Sequence, residues 1–319
     1  MIVGFIGLGN LGEKLAATLL RNNINLIVHD KLKKNAVHLI EKGANWEDTP
    51  IELAKKSDFI ITCLPSPSIS ATVMETRYGV IEGISKGKIW IEMSTTSKQE
   101  VSRLSKLVQN KGGFSADCPV SGGCHRAATG NISIFSGCER KVFEKIKPIL
   151  FIMGKKILHT GKIGTASVLK VMTNYLATSN LISCCEALIT MKGEGIDLAK
   201  TFEAIKISSG NSFVHETESQ VILNGSRDIN FTMDLVLKDI ELFQQIADER
   251  NIPLDISPKL IEIFKDGISK YGDRAFSPSI VQRLEHKTGL NVQCDGFPEK
   301  IEDYDEESLG FEEIGRAHV

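Results

Sequence analysis

The sequence predicts a doubly wound, mostly parallel α/β sheet followed by an all-α C-terminal domain. Three observations carry this expectation. Short apolar runs alternate with segments of helical spacing through the first half, a glycine turn joins the first run to the first helix, and strand-like runs stop after Gly164. At 319 residues the chain exceeds the ~250 to 300 beyond which single cores tend to divide, so two domains are expected.

Ile2 to Ile6 is an apolar run of strand length. The next stretch, GLGNLGEKLAATLLRNN, switches to helical spacing with Leu11, Leu15, Leu19 and Leu20 on one side. INLIVHD, SDFIITCLP and GKIWIEMS supply further strands, separated by helical segments near Lys34 to Lys42, Pro50 to Lys56 and Ser97 to Asn110. Near-continuous apolar strands with helices between them suit a parallel sheet covered on both faces. GGFSADCPVSGG and GNISIFSG add two strands, and KILHTG closes the sheet. The first domain is thus set at residues 1–163. From 164 to 288 only helices are read, the first serving as connector and as core of the second domain. Residues 289–319 are acidic and aperiodic and read as a loosely held tail. Its last six, Ile314 to Val319, match the in-frame translation of a common sequencing adapter and are set aside.

Composition removes several function classes. Hydrophobic residues at 42% and charged residues at 24% are ordinary for a globular chain that buries a sizeable core. A formal net charge of -2 and the lack of a long basic block disfavour nucleic acid. Seven cysteines, odd in number and without a CxxC pair, suggest neither a disulfide framework nor a zinc site; they fit reduced thiols and a cytoplasmic location. MIVGFIGLG lacks a basic flank and a cleavage site, and the most apolar later segment is broken by Lys170, Asn174, Asn180 and Glu186. Neither an export signal nor a membrane span is therefore expected.

Gly7, Gly9 and Gly12 form GxGxxG. The first allows a tight turn, the second lets the backbone approach a pyrophosphate, and the third packs the helix on the strand. Between a strand and a helix this is the mark of a Rossmann-type nucleotide fold, with Gly7, Gly9, Asn10, Leu11 and Gly12 at the cofactor and the helix N-terminus facing its phosphates. Asp30 ends the second strand, where a carboxylate accepts ribose hydroxyls and repels a 2'-phosphate, favouring NAD. A solvated turn aspartate is the alternative, and Lys31, Lys33 and Lys34 keep NADP open.

In GTASVLKVMTNYLATSN, Ser167, Lys170, Asn174 and Thr178 form a polar stripe on an otherwise apolar helix, as if facing a cleft. A lysine useful for proton transfer near neutrality must fall from about 10.4 to ~7 to 8, and burial pushes it that way. Periodicity alone fits equally well a lysine that snorkels to the surface.

GFIGLGNLGEKLA, CLPSP, EMSTTS, DCPVSGG, GTASVLKVMTN and FTMDLVLKD occur in the order seen in the β-hydroxyacid dehydrogenase family, which includes 3-hydroxyisobutyrate dehydrogenases and tartronate semialdehyde reductases. The chain resembles that family over residues 1 to 285. The resemblance implies hydride transfer between NAD(H) and a small β-hydroxy acid/semialdehyde pair, with Lys170 as general acid/base and Asn174 bonding the substrate. It implies that Ser121, Gly122 and Gly123 hold the substrate carboxylate, that Leu64, Pro65 and Thr95 line the cofactor, and that Lys238 closes the site near the nicotinamide while Asp239 supports its helix. No metal is called for, and a homodimer or homotetramer is expected. Leu11 and Leu15 stand where Met is frequent, and Thr173 where Asn or His is. Arg126, after the SGG turn, is either a ligand for a second acidic group or a solvated loop residue. An imine reductase-like relative and a non-catalytic nucleotide-binding reader are the rival readings. The first usually lacks the lysine, and the second should have lost it or gained a basic extension.

Overall fold

A computed structural model describes residues 1–315. Arg316 to Val319, most of the adapter-like segment, lie outside the described residues. The chain forms two compact units: Met1–Lys170 rejoined by the chain from Asp303 onward, and Val171–Glu302.

The first unit is built on one sheet. Its strands are β1 (Ile2–Ile6), β2 (Asn25–His29), β3 (Asn45–Trp46), β4 (Phe59–Thr62), β5 (Ile89–Glu92), β6 (Phe114–Asp117), β7 (Val120–Ser121), β8 (Ile132–Gly137), β9 (Gly154–Gly161) and β10 (Phe311–Glu312). They lie in the order β10-β9-β8-β6-β5-β4-β1-β2-β3, with β7 pairing β8. From β3 to β6 every pair is parallel, and β8 reverses direction against β6. The crossovers are α1 (Asn10–Arg21), α2 (Val37–Glu41), α3 (Pro50–Lys56), α4 (Pro67–Glu75), α5 (Val80–Gly83), α6 (Lys98–Asn110), α7 (Gly123–Thr129) and α8 (Arg140–Met153). Both faces of the sheet are packed. Val3, Phe5, Ile61 and Ile91 meet Leu15 and Leu19 on one side, and Ile6, Ile60 and Trp90 meet Leu53, Val101 and Leu104 on the other. That two-sided burial explains why the strands read as continuous apolar runs rather than alternating ones.

Chain order turns back between β1 and β4. Such a reversal opens a crevice beyond the carboxyl ends of the strands, where ligands bind in open α/β sheets. The glycine turn after β1 and Leu64 after β4 stand at that point.

The second unit is helical. The long α9 (Thr165–Gly193) enters it and is followed by α10 (Leu198–Lys206), α11 (Gln220–Leu223), α12 (Met233–Asp248), α13 (Ile256–Tyr271) and α14 (Gln282–Thr288). Leu181, Leu188, Phe202, Ile222, Ile240 and Phe264 lie within its core. The boundary expected at residue 163 falls at the entry to α9, whereas the units divide inside that helix, after Lys170.

The stretch expected to be a loose acidic tail is laid against protein. Val292 is fully buried in the second unit, and from Asp303 the chain runs along the first unit into β10, parallel to β9. Acidic composition does not prevent order where backbone groups find partners, as the Gly310 and Glu313 amides do at Phe151 and Ile157. Here Glu307 pairs with Arg21, and Glu312 with Arg140. All seven cysteines are free thiols. Among the described residues no helix is long and apolar enough to cross a membrane.

Candidate active site

The glycine turn is shaped by contacts at two positions and left open at the third. Gly7 has φ +97°, and a Cβ there would stand 2.3 Å from the Cys63 carbonyl oxygen. One on Gly12 would stand 2.0 Å from the Gly7 carbonyl oxygen, which is why α1 packs so closely on β1. A Cβ on Gly9 would meet nothing within 4 Å. No protein neighbour requires glycine at position 9, whereas a pyrophosphate approaching the backbone would. Gly9 is also the N-cap of α1 and offers no side-chain cap, so the first amides of that helix suit an anion. The turn therefore fits a dinucleotide.

Asp30 lies beside this turn. Its carboxylate accepts the Leu8 amide at 2.7 Å, the Leu32 amide at 2.8 Å and the Asn35 side-chain amide at 3.0 Å. It thereby ties the end of β2 to the glycine turn, and its bond to the Leu32 amide two residues on is also that of a turn aspartate. About four acceptor positions are available on a carboxylate, which leaves room for a ribose hydroxyl. Of the nearby lysines, Lys33 stacks over the Trp46 ring at 5.3 Å.

The loop after β4 is held from behind by a buried carboxylate. The Leu64 amide donates to the Ser94 hydroxyl at 2.7 Å, and Ser94 in turn donates its hydroxyl and its amide to Glu92. Glu92 ends β5 and is 1% exposed. Burial pushes its carboxyl up to about 7, against the hydrogen bonds from Ser94 that favour the ionised form. Half-buried Leu64 and Thr95 and exposed Pro65 thus flank a rigid support.

Ser121 ends β7, and the turn that follows takes a backbone that only glycine adopts without strain, with φ +129° at Gly122 and +85° at Gly123. Arg126 and His125 fold back over it: a Cβ on Gly122 would lie 3.2 Å from Arg126 Cδ, and one on Gly123 2.9 Å from His125 Cε1. Burial, seconded by Arg126, holds the His125 imidazole below its ordinary value. Lys170 is 7% exposed, so it does not snorkel, and its Nζ donates to Ser121 Oγ at 3.4 Å. The stripe on α9 divides. Lys170 meets the SGG segment, but Ser167 Oγ donates to Asp117 at 2.7 Å and Thr178 Oγ1 to the Asn174 carbonyl at 2.9 Å. A polar residue on a buried helix face can satisfy itself at a neighbouring strand or on its own backbone without facing a cleft.

The second unit assembles its own group. Asn174 Nδ2 donates to Asp239 Oδ2, and Lys238 Nζ lies 2.7 Å from Asp239 Oδ1. Asp239 is 1% exposed and joins α9 to α12, which fits a supporting part. Sequence reasoning did not single out Glu92, Ser94 or Asp117. The signal for Glu92 and Asp117 was there: each is an acidic residue closing an apolar strand, where an unpaired charge would be costly.

Comparison with known proteins follows the same outline. Residues 2–161 match the NAD binding domain of 6-phosphogluconate dehydrogenase. Residues 164–283 match the family described as NAD-binding of NADP-dependent 3-hydroxyisobutyrate dehydrogenase. The chain is 32% identical over 291 residues to the 2-(hydroxymethyl)glutarate dehydrogenase of Eubacterium barkeri, covering 91% of this chain and 97% of that one. It is 30% identical to the mitochondrial 3-hydroxyisobutyrate dehydrogenase of Mus musculus, over 89% of this chain and 87% of that one. The crystal structure of a 3-hydroxyisobutyrate dehydrogenase from Salmonella typhimurium shares the fold, with TM-score 0.82, 21% identity, and 89% and 99% of the two chains covered.

Proposed function

The chain belongs to the β-hydroxyacid dehydrogenase family, and from that premise we propose that it oxidises a small β-hydroxy acid to its semialdehyde, or the reverse, with Lys170 as the acid/base. It is an oxidoreductase with a nicotinamide cofactor. When bound, that cofactor supplies the hydride acceptor or donor, so the protein has only to bind, orient and handle one proton.

The observation that carries the reading is the buried amine of Lys170 in contact with Ser121. In oxidation a neutral Lys170 takes the hydroxyl proton, and in reduction the ammonium returns it. Ser121 and the backbone of Gly122 and Gly123 hold the substrate carboxylate, since a hydroxyl and backbone amides converge on an anion, with the side chains of His125 and Arg126 lying over the turn. Asn174 and Lys238, both held on Asp239, carry the parts in substrate and cofactor binding that the family resemblance implies. NAD is favoured over NADP. Asp30 keeps an acceptor for a ribose hydroxyl, and Lys33 is engaged on Trp46.

An absorbance assay of NAD(H) turnover tests this, run on a panel of small hydroxy acids with both nucleotides. Lys170→Ala should lose on the order of 10²- to 10⁴-fold in kcat while still binding NADH by fluorescence titration. Undiminished turnover in the variant would reject the chemistry. The assembly follows the same reading: a homodimer or homotetramer. A monomer mass that does not change with concentration in sedimentation would contradict it.

A further inference from the structure

We propose that Asp117 is a positioning residue which holds α9 at the height where Lys170 meets Ser121. The inference rests on Lys170 being the acid/base. Asp117 closes β6 and is fully buried. Its Oδ2 accepts the Gly164 amide at 3.1 Å and the Ser167 amide at 2.9 Å, and its Oδ1 accepts the Ser167 hydroxyl at 2.7 Å. Amides at the entry of a helix have no partner inside it and are ordinarily capped by a neighbouring Ser, Thr, Asp or Asn. Here the acceptor comes from the sheet, 47 and 50 residues away in sequence. A local cap would stabilise the helix; an acceptor on β6 also fixes where the helix sits.

The same segment touches α9 a second time. Four residues after Asp117, Ser121 receives Lys170; three residues after Ser167, the helix presents that lysine. Two grips therefore stand about one helical turn apart, ~4.5 Å along the axis, and both are made by DCPVSGG. A slip at the first grip displaces the amine at the second. Misplacement by about 1 Å can cost on the order of 10²-fold in rate, so the first grip has catalytic consequences although it touches no reacting atom. Burial pushes the Asp117 carboxyl up to about 6, opposed by hydrogen bonds from Ser167 and Gly164. It remains largely the acceptor-only carboxylate at neutral pH, as three inward donors require.

Turnover and NADH affinity of Asp117→Ala, Asp117→Asn and Ser167→Ala, each in the native and the Lys170→Ala background, test the proposal. Asp117→Ala should lower kcat by ~10- to 100-fold with the NADH dissociation constant within about threefold of the native one. Asp117→Asn should restore most of kcat, because its carbonyl accepts the two amides while its NH2 donates to the Ser167 hydroxyl. Ser167→Ala, which keeps the backbone bonds, should fall between, and it carries the same comparison should Asp117→Ala fail to fold. In the Lys170→Ala background none of the three changes should cost more, because residues acting through one amine are not additive. An equal fold-loss in both backgrounds would reduce Asp117 to a structural part and overturn the proposal, as would native kcat in Asp117→Ala. Native turnover in Lys170→Ala alone would instead remove the acid/base reading and this inference with it.

Discussion

At the scale of single residues, the first unit keeps two buried carboxylates at the carboxyl edge of its sheet, Glu92 and Asp117, paired in register on neighbouring strands. Both sit above their ordinary values, Glu92 at about 7 and Asp117 at about 6, with burial the main cause. A carboxyl raised on folding binds its proton more tightly in the native state, so its contribution to stability is full below the unfolded value and is lost as pH rises through the folded one. For Glu92 that window runs from its ordinary 4.5 to about 7. The groups around it do not reverse the sign. Cys63, with its thiol pushed up to about 12 by burial and by Glu92, and Cys118, also raised by burial, stay neutral. Urea unfolding followed through the first unit should therefore lose about 2 to 3 kcal/mol between about pH 5 and pH 8.5 on account of Glu92. In Glu92→Gln that part of the slope should vanish, leaving the shallower contribution of Asp117. An unaltered slope in the variant would mean that Glu92 is ionised throughout and that Ser94 is held by a permanent anion.

At the scale of elements, the sheet was legible because its strands are buried on both faces and its crossovers carry one apolar stripe each. Period alone separates the two. The glycine turn was legible for a related reason: Gly7 and Gly12 are forced by close backbone approach, while at Gly9 a Cβ would meet nothing within 4 Å. The helices α4 and α8 are harder to read. α4 opens with Ser66 and Pro67, a pair that reads as a turn until the Ser66 hydroxyl is seen capping the Ile69 amide. α8 carries Pro148 in its interior, which ordinarily breaks a helix. The polar stripe on α9 was visible in sequence, but its division was not, because whether a serine faces a cleft or a strand depends on a partner more than forty residues distant. Lys170, Ser121, Gly122 and Gly123 could be named from motifs. Asp117 stood in the same motif as Ser121, yet its partner Ser167 belongs to another motif, and only the fold brings them within hydrogen-bonding distance.

At the scale of the whole molecule, the chain leaves the first unit after Lys170 and rejoins it at Asp303, and what fastens the returning segment decides whether it is ornament or structure. Its charges are conspicuous. Glu307 meets Arg21 and Asn22, Glu312 meets Arg140, and Asp303 accepts from Thr129 and Asn131. Exposed ion pairs of this kind are worth roughly 0 to 1 kcal/mol each and fade with salt. Backbone contacts are the stronger candidates: the Gly310 amide donates to Phe151 O at 2.7 Å, the Glu313 amide to Ile157 O at 2.8 Å, and β10 lies in register with Lys156 and Ile157. They are possible because Gly310 has no side chain, since a Cβ there would stand 2.0 Å from the Gly154 carbonyl oxygen and 2.9 Å from Ile157 Cδ1. Gly310→Val should therefore unseat the strand, costing on the order of 2 kcal/mol from two or three backbone hydrogen bonds, and should open residues 303–313 to limited proteolysis. Arg140→Ala should cost under about 1 kcal/mol and leave the segment protected. The reverse ranking, or a loss of protection at high salt in the native chain, would show that charge and not close backbone approach holds the segment down.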